Sequence, residues 1–380
     1  ARQPNPGRGS TYRRGYSVQT TGASSLHPSG FDYMRLVLAV LVILAHAPTI
    51  AIGEKAGQDF FEHPLALPLK FVLPAFFTLS GFLVAGSMQR CRTLLSFLGL
   101  RFLRIYPALI VEVTLSALLI GPLVTEISLR EYFSSPVFFR YLLNVTGHIS
   151  YYLPGVFLSN PKPAMVNWQL WTVPWELICY IAITLMILVG VKKHRHRAIV
   201  ATAIIFLIAL IKQIRSPEGL SVLHGHAWGH VLVVYFASGV LAYLYKERLP
   251  YNAKLFFVSA LSALIAFGLL PAGQLLGIPP LVYCVIYLGV CNPRQMLPAS
   301  VVDCSYGMYL YGYVLQQLIA LEAPWSRTIL WNFVIAVGLS LVVGLASWHL
   351  VERPALNLRG HLRSLEDWWL NTSKLAAAPD

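Results

Sequence analysis

The sequence has few charged residues for its length. Only 12% of its 380 residues are Asp, Glu, Lys or Arg, whereas about a quarter of the residues are charged in soluble globular domains. Hydrophobic residues make up 56% of the chain. This composition excludes an ordinary soluble enzyme and predicts an all-α, polytopic transmembrane helical bundle that has the lipid bilayer as a partner.

Cysteine and metal chemistry have little support in the sequence. The five cysteines are scattered, with no CxxC pair and no histidine at ligand spacing: Cys91, Cys179, Cys284, Cys291 and Cys304. This pattern predicts neither a disulfide framework nor a zinc site. The run HGHAWGH contains His224, His226 and His230, but only Glu218 offers a carboxylate nearby. We therefore predict no metal site and no tightly bound cofactor.

Several other signals are also missing. The chain shows no glycine-rich phosphate loop, no nucleophile elbow, no internal repeat and no N-terminal apolar segment that would suit a signal peptide. Its net charge of +13 comes from short Lys and Arg clusters between apolar runs. That arrangement is typical of cytoplasmic membrane loops, so we predict that the protein does not bind nucleic acid.

Ten apolar stretches are long enough to cross a bilayer, which needs about 20 helical residues. They lie near 33–52, 68–88, 105–124, 171–190, 198–214, 229–245, 254–271, 274–290, 301–321 and 328–350. If successive loops lie on alternate sides of the membrane, most of the Lys and Arg residues fall on the side that also holds both termini. The positive-inside rule predicts that this side is cytoplasmic. The segment 125–170 does not fit as a span, and we interpret it as interfacial or re-entrant structure on the outer side.

The chain divides into three parts. Residues 1–30 are polar and rich in Arg, Gly, Ser and Pro, which predicts a disordered cytoplasmic tail. Residues 31–354 form the predicted transmembrane domain. Residues 355–380 predict a basic amphipathic tail on the cytoplasmic membrane surface.

Two ionisable residues bracket ten apolar residues in the first predicted span, DYMRLVLAVLVILAH. Eleven helical steps bring His46 to within about 20° of the face of Arg35 and about 16 Å further along the helix. Ionisable groups inside a bilayer usually face a cavity or a partner, which favours a functional role for this stripe. In the alternative interpretation, Arg35 snorkels at the helix end and His46 is a satisfied packing residue.

A second pair of cations lies at the start of the third span. Arg101 and Arg104, in RFLRIYP, are one helical turn apart and share a face. Their guanidinium groups suit a phosphate or a carboxylate. The alternative is ordinary positive charge on the cytoplasmic side.

One acidic residue stands out in NWQLWTVPWELICY. Glu176 lies beside Trp171 and Trp175, at the predicted depth of His46, and such a pocket could bind and deprotonate a sugar hydroxyl. The alternatives are a carboxylate that stabilises a helix start after Pro174 and an aromatic belt at the membrane interface.

At this point the sequence resembles the membrane acyltransferase-3 family of bacterial O-acyltransferases, over residues 31–354. The most specific element is the pair Arg35 and His46, which are separated by ten residues as in the signature of the family's first helix. The other matching elements are FFTLSGFLVAGS, Arg101 and Arg104 in RFLRIYP, Trp171, Glu176 and Tyr180 in LWTVPWELICY, DCSYGMYLYGY and VERPA. Two departures are Gly312, where family members often carry a histidine, and Trp168-Gln169 after Asn167, where they often carry Gly-Ser.

The resemblance implies an acyl-CoA-dependent O-acyltransferase, most often an O-acetyltransferase, in the bacterial inner membrane. The acyl group would pass from cytoplasmic acetyl-CoA or another acyl-CoA, as co-substrate, to a hydroxyl of a cell-surface glycan or lipid-linked sugar. His46 and Glu176 would be catalytic, with Glu176 either orienting the histidine or binding the sugar. Arg35, Arg101 and Arg104 would bind coenzyme A, and Trp171, Trp175 and Tyr180 the acceptor.

Two other interpretations remain open. In a secondary transporter or flippase of a polysaccharide precursor, the stripe from Arg35 to His46 would line a permeation path, although no inverted repeat is visible. In a non-catalytic partner of polysaccharide assembly, both residues would be structural. The sequence does not predict the acceptor sugar, the acyl chain or the oligomeric state.

Overall fold

The computed structural model describes residues 29–216, 228–291, 296–362 and 364–367. Residues 1–28 of the predicted N-terminal tail, the last residues of the predicted C-terminal tail, His224 and His226 lie outside this part of the chain. The described residues are about 81% helical and contain no strands, only two isolated β-bridges. The all-α prediction is therefore confirmed.

The part of the chain that the structure describes contains seventeen α-helices, α1 to α17 in chain order. The first nine are α1 (Gly30–Ala51), α2 (Glu54–Glu62), α3 (Val72–Arg90), α4 (Leu94–Leu115), α5 (Gly121–Val124), α6 (Leu129–Ser134), α7 (Pro136–Leu142), α8 (Val173–Leu188) and α9 (His196–Arg215). The other eight are α10 (Gly229–Leu244), α11 (Ala253–Leu269), α12 (Gly273–Leu276), α13 (Ile278–Val290), α14 (Ala299–Asp303), α15 (Ser305–Glu322), α16 (Ile329–Ser347) and α17 (Arg353–Asn357).

Short helical segments of other types connect or extend these helices. The 3₁₀ segments are Pro64–Phe71, Leu143–Thr146, Trp168–Thr172, Lys246–Arg248 and Pro324–Ser326. Two π-helical segments, Ser116–Ile120 and Trp348–Glu352, continue α4 and α16.

Six helical stretches are long and apolar enough to cross a membrane: Gly30–Ala51, Pro64–Arg90, Leu94–Val124, Trp168–Leu188, His196–Arg215 and Ile329–Asp367. Three further apolar helices, α10, α11 and α13, are shorter. Each of the ten predicted spans contains helix, but length and composition support six of them as spans. The count of ten and the cytoplasmic termini remain predictions.

The start of α1 is fixed by a local hydrogen-bonding pattern. The Asp32 carboxylate accepts hydrogen bonds from the backbone N–H of Ser29 at 2.9 Å and from its hydroxyl at 2.7 Å. A carboxylate in the first turn also interacts favourably with the positive end of the helix. Asp32 forms an ion pair with Arg35, so the sequence around the helix start also orients this arginine.

Two glycines allow α3 and α10 to pack closely. Gly81 packs against the backbone of α10, where a Cβ atom would come within 2.0 Å of the Phe236 carbonyl oxygen. A Cβ atom at Gly239 would likewise lie 2.1 Å from the Thr78 carbonyl oxygen of α3. Small residues allow membrane helices to approach closely, because burial from water does not drive their association.

Replacing Gly81 by Ala should separate α3 from α10 and lower the melting temperature of the purified protein. The added methyl group meets backbone, which cannot rotate away, and overpacking of this kind costs about 1–3 kcal/mol. Gly338→Ala is the matched control, because nothing lies within 4 Å of a Cβ atom at that position of α16. Equal thermal unfolding of the two variants in detergent would contradict the packing described here.

The segment 125–170 folds back into the bundle instead of crossing it as one long helix. It consists of α6, α7, a 3₁₀ segment and turns held by the bridges Thr125 to Val156 and Tyr152 to Met165. Its side chains Asn144, Asn160 and Asn167 are buried. This segment leads into the 3₁₀ segment Trp168–Thr172 and so determines where α8 begins.

The described part of the C-terminal tail packs against the start of α4. The Glu366 carboxylate accepts hydrogen bonds from the backbone N–H and the hydroxyl of Thr93, both at 2.7 Å. Arg92 and Asp367 form an exposed ion pair at 2.8 Å. The tail therefore lies at the end of the bundle where Arg101 and Arg104 are found.

Candidate active site

A cavity of about 160 Å³ lies between α1, α3, α4, α8, α10 and α15. Its polar walls are formed by Arg35, Ser80, Arg101, Arg104, Thr172, Glu176, Cys179, Tyr180, Ser305, Tyr306 and Tyr309. Most of its apolar wall comes from α3: Leu73, Phe76, Phe77, Leu79, Leu83 and Val84. The cavity thus combines the cationic side chains of three arginines with an apolar wall.

Three arginines from two helices converge on this cavity. Arg35 belongs to α1 and is paired with Asp32. Arg101 donates a hydrogen bond to the Ser87 hydroxyl at 3.2 Å. Arg104 lies one turn further along α4, forms a 3.7 Å ion pair with buried Glu352 and stacks over the Tyr306 ring.

Two of these guanidinium groups keep a donor that no described residue satisfies. The Nε atoms of Arg35 and Arg101 are buried and have no hydrogen-bond partner among the described residues. A buried donor without an acceptor is costly. The cavity is therefore suited to an anionic ligand that supplies acceptor oxygens to both side chains.

Glu176 shares the cavity with the arginines. Its carboxylate accepts a hydrogen bond from the Tyr180 hydroxyl at 2.7 Å, and it interacts electrostatically with Arg104 and Arg101. The sequence analysis placed Glu176 at the depth of His46, but the structure brings it to the cationic cavity.

A hydrogen-bonded pair forms part of the cavity wall. The hydroxyl groups of Thr172 and Tyr309 lie 2.5 Å apart, and the Tyr309 hydroxyl also donates to the Gln169 carbonyl oxygen at 2.9 Å. These contacts join the 3₁₀ segment Trp168–Thr172 to the first part of α15.

His46 is not part of the cavity lining among the described residues. Its ring packs edge-on against Tyr313, with 5.1 Å between ring centroids, and Tyr313 is one turn after Tyr309 on α15. Eleven residues of α1 place His46 about 16 Å along the helix axis from Arg35. The two ends of the predicted stripe therefore lie in different environments, Arg35 in the cavity and His46 against Tyr313.

The structure brings together five of the eight predicted site residues. Arg35, Arg101, Arg104, Glu176 and Tyr180 line the cavity, whereas the other three are not part of its lining among the described residues: His46, Trp171 and Trp175. Both tryptophans pack against the main apolar core, and Trp175 fills the space beside Gly229 at the start of α10.

A buried polar cluster beside the cavity escaped the sequence analysis. Glu112 is fully buried in α4, where its Oε1 accepts hydrogen bonds from the Ser116 hydroxyl at 2.7 Å and from Asn167. Asn167 also contacts the Tyr141 hydroxyl at 3.0 Å and accepts from the Gln169 amide at 3.0 Å. This cluster holds the segment 125–170 against α4.

Sequence signals for this cluster do exist. Glu112 is an acidic residue within the apolar run IYPALIVEVTLSALLI, and an ionisable residue within a span is unusual in itself. It is followed by the π-helical segment Ser116–Ile120, a distortion that often marks functional or constrained positions.

Replacing Glu112 by Ala should destabilise the protein, because Asn167 and Ser116 would lose their acceptor inside the bundle. An unsatisfied buried group costs about 1–3 kcal/mol. Glu112→Gln keeps one acceptor oxygen and should melt closer to the unchanged protein. Glu126→Ala, at an exposed acidic position, is the control in the same thermal unfolding assay. A Glu112→Ala variant as stable as this control would show that the cluster does not hold the segment.

Comparison with known proteins adds to this geometry. The family model described as an acyltransferase domain matches residues 29–349, most of the chain. The chain belongs to the acyltransferase-3 family. Membership confirms the resemblance drawn from the Arg35 to His46 spacing, and with the apolar helices it shows a membrane protein of the acyltransferase class.

Two relatives carry informative names. The O-acetyl transferase of Shigella phage Sf6 is 27% identical over 353 residues, which cover 90% of this chain and 100% of the relative. Nodulation protein 10 of Rhizobium leguminosarum bv. viciae is 27% identical over 362 residues, covering 89% and 96%. No solved structure matches.

Proposed function

We propose that this acyltransferase-3 protein is an O-acyltransferase, and specifically an O-acetyltransferase, of the bacterial inner membrane. It would move an acyl group from cytoplasmic acyl-CoA to a hydroxyl of a cell-surface glycan or lipid-linked sugar. The observation that carries the proposal is that α1 contributes residues to both regions. Arg35 lines the cationic cavity, and His46 lies about 16 Å further along the same helix. The name of the phage relative supports the acetyl group.

The donor would bind in the cavity. Arg35, Arg101 and Arg104 would bind the phosphates of coenzyme A, since guanidinium groups form strong paired hydrogen bonds with phosphate oxygens. The unsatisfied Nε atoms of Arg35 and Arg101 support this role. The apolar wall from α3 suits the less polar pantetheine arm and the acyl chain.

Glu176 and Tyr180 would position the donor. The Glu176 carboxylate is held by the Tyr180 hydroxyl and faces the arginines, so it can accept hydrogen bonds from the amide N–H groups of the pantetheine arm. This assignment separates Glu176 from His46 and makes it a donor-binding residue.

His46 would act as the general base. Its imidazole takes the proton from the acceptor hydroxyl as the oxygen attacks the thioester carbonyl carbon. The new C–O bond forms, the C–S bond breaks, and the departing thiolate takes the proton back from the imidazolium. The products are an O-acyl sugar and free coenzyme A.

The thioester would have to travel from the cavity to His46. Thr172 and Tyr309 lie in the cavity wall, and Tyr309 is one turn of α15 before Tyr313, which contacts His46. We propose that donor binding separates these hydroxyl groups and lets the end of the pantetheine arm pass between α8 and α15.

The test is transfer of radiolabel from acetyl-CoA. Proteoliposomes that contain the purified protein and bacterial lipid-linked glycans would receive labelled acetyl-CoA on one side only, and the glycan fraction would then be counted. Label in the glycan that alkaline ester hydrolysis removes is the expected result. Absence of label with several acyl-CoA donors, together with movement of the glycan across the bilayer, would overturn the proposal in favour of transport.

A further inference from the structure

An aromatic and charged cluster lies at the His46 end of the bundle. The rings of Trp168 and Tyr151 stack with 5.1 Å between centroids and an interplanar angle of 28°. Both rings pack against the small apolar cluster that contains Tyr313, and Tyr313 contacts the His46 ring. The stack is thus connected to His46 through the small cluster that contains Tyr313.

An ion pair between Lys162 and Glu54 lies beside the stacked rings of Trp168 and Tyr151. The Lys162 ammonium group is 5.8 Å from the centroid of the Trp168 ring and 2.6 Å from a carboxylate oxygen of Glu54 at the start of α2. The side chain of Lys162 is 13% exposed, whereas that of Glu54 is 66% exposed. A strong donor and a strong acceptor are therefore accessible beside the aromatic rings.

The backbone that carries Lys162 is held rigidly. The amide of buried Gln317 on α15 donates hydrogen bonds to the carbonyl oxygens of Lys162 at 2.9 Å and Met165 at 2.7 Å. The Asn160 amide donates to the Gln317 carbonyl oxygen at 2.9 Å. Preformed groups lose little conformational freedom when they bind a ligand, so this arrangement suits a binding site better than an accidental surface contact.

We infer that Lys162 and Glu54, together with the stacked rings of Trp168 and Tyr151, form a subsite for a sugar ring of the acceptor. A pyranose presents C–H groups that pack on aromatic rings and neighbouring hydroxyl groups that both donate and accept hydrogen bonds. The ammonium group of Lys162 and the carboxylate of Glu54 match such a hydroxyl pair. The inference rests on the proposed function, since a glycan acceptor is what would bring a sugar to His46.

The subsite is separate from the residues that the sequence analysis assigned to the acceptor. Trp171 and Trp175 pack in the apolar core, and Tyr180 lines the cationic cavity. Trp168 instead lies beside the Lys162 ammonium group, which is paired with Glu54, and Tyr151 stacks on Trp168.

The experiment measures sugar binding directly. Saturation-transfer difference NMR on the full chain in lipid nanodiscs would use maltotriose, chitotriose and mannotriose as probes, without acyl-CoA. We expect ring C–H signals with at least one probe, and an about tenfold or greater loss of affinity in Lys162→Met and Glu54→Gln, because each removes a hydrogen bond from a charged group. Arg92→Met is the matched control, since it breaks an exposed ion pair at the opposite end of the protein.

The outcomes separate this subsite from the proposed function. Unchanged affinity in Lys162→Met and Glu54→Gln at an unchanged melting temperature, or no binding of any of the three probes, would overturn the subsite. Sugar binding that depends on both residues, in a protein that transfers no label from acetyl-CoA, would support the subsite and contradict the acyltransferase proposal. Normal label transfer with an unaltered KM for the glycan in both variants would support the acyltransferase proposal and contradict the subsite.

Discussion

His46→Ala should transfer acyl groups to the glycan about 10² to 10⁴ times more slowly than the unchanged protein, the range typical for loss of a general base. Binding of acyl-CoA should stay the same, because His46 does not line the cavity that holds the arginines. Transfer of radiolabel at saturating acetyl-CoA measures the first quantity, and isothermal titration with coenzyme A measures the second.

His349→Ala is the control for the loss of an imidazole. His349 lies in the π-helical segment that follows α16 and is exposed. It should keep full transfer. If His46→Ala retained transfer within a few-fold of this control, the imidazole would have a packing role against Tyr313. A His46→Ala variant that bound coenzyme A weakly would place the histidine in the donor site instead.

The helical fold follows from hydropathy alone. Each of the ten predicted spans contains helix, because an apolar run must satisfy its backbone hydrogen bonds internally. The boundaries shift where local chemistry adds turns. The second span starts at Pro64 because a 3₁₀ segment precedes α3, and the fourth starts at Trp168 for the same reason. Hydropathy measures neither effect.

The proximity of Arg101 and Arg104 was also predictable, because helical spacing puts them on one face. Arg35 was predicted to bind the same ligand, coenzyme A, from the family resemblance. The structure places all three around one cavity. Short-range periodicity was sufficient for Arg101 and Arg104 because both lie within the regular helix α4.

The depth of Glu176 was not predictable from the sequence. It depends on how far the segment 125–170 enters the bundle. That position is set by long-range contacts such as the hydrogen bond from the Gln169 amide to the Leu310 carbonyl oxygen, which joins residues far apart in the chain. Hydropathy windows treat each stretch separately and therefore placed Glu176 at the membrane boundary.

Arg101→Met and Arg104→Met should both raise the KM for acetyl-CoA by about 10-fold to 100-fold, since each removes charge-assisted hydrogen bonds to phosphate worth about 1.5–3 kcal/mol. Their kcat values should change less, because neither guanidinium reaches the region of His46. Initial rates of label transfer at varied acetyl-CoA give both constants. Arg92→Met is the control, as it removes an exposed cation at the same end of the bundle.

Stability should distinguish the two arginines. Arg104 forms an ion pair with Glu352, whose side chain is only 2% exposed, and breaking a buried pair costs about 3–5 kcal/mol. Arg101 bonds to a neutral serine hydroxyl. The Glu176 carboxylate, which also interacts with Arg101, would keep Arg104 and the Tyr180 hydroxyl as partners when Arg101 is lost. We therefore expect a much lower melting temperature for Arg104→Met alone, largely restored by adding Glu352→Gln. Restored stability with a persistently high KM would show that Arg104 binds the donor as well as holding the fold, whereas recovery of both would reduce its role to structure.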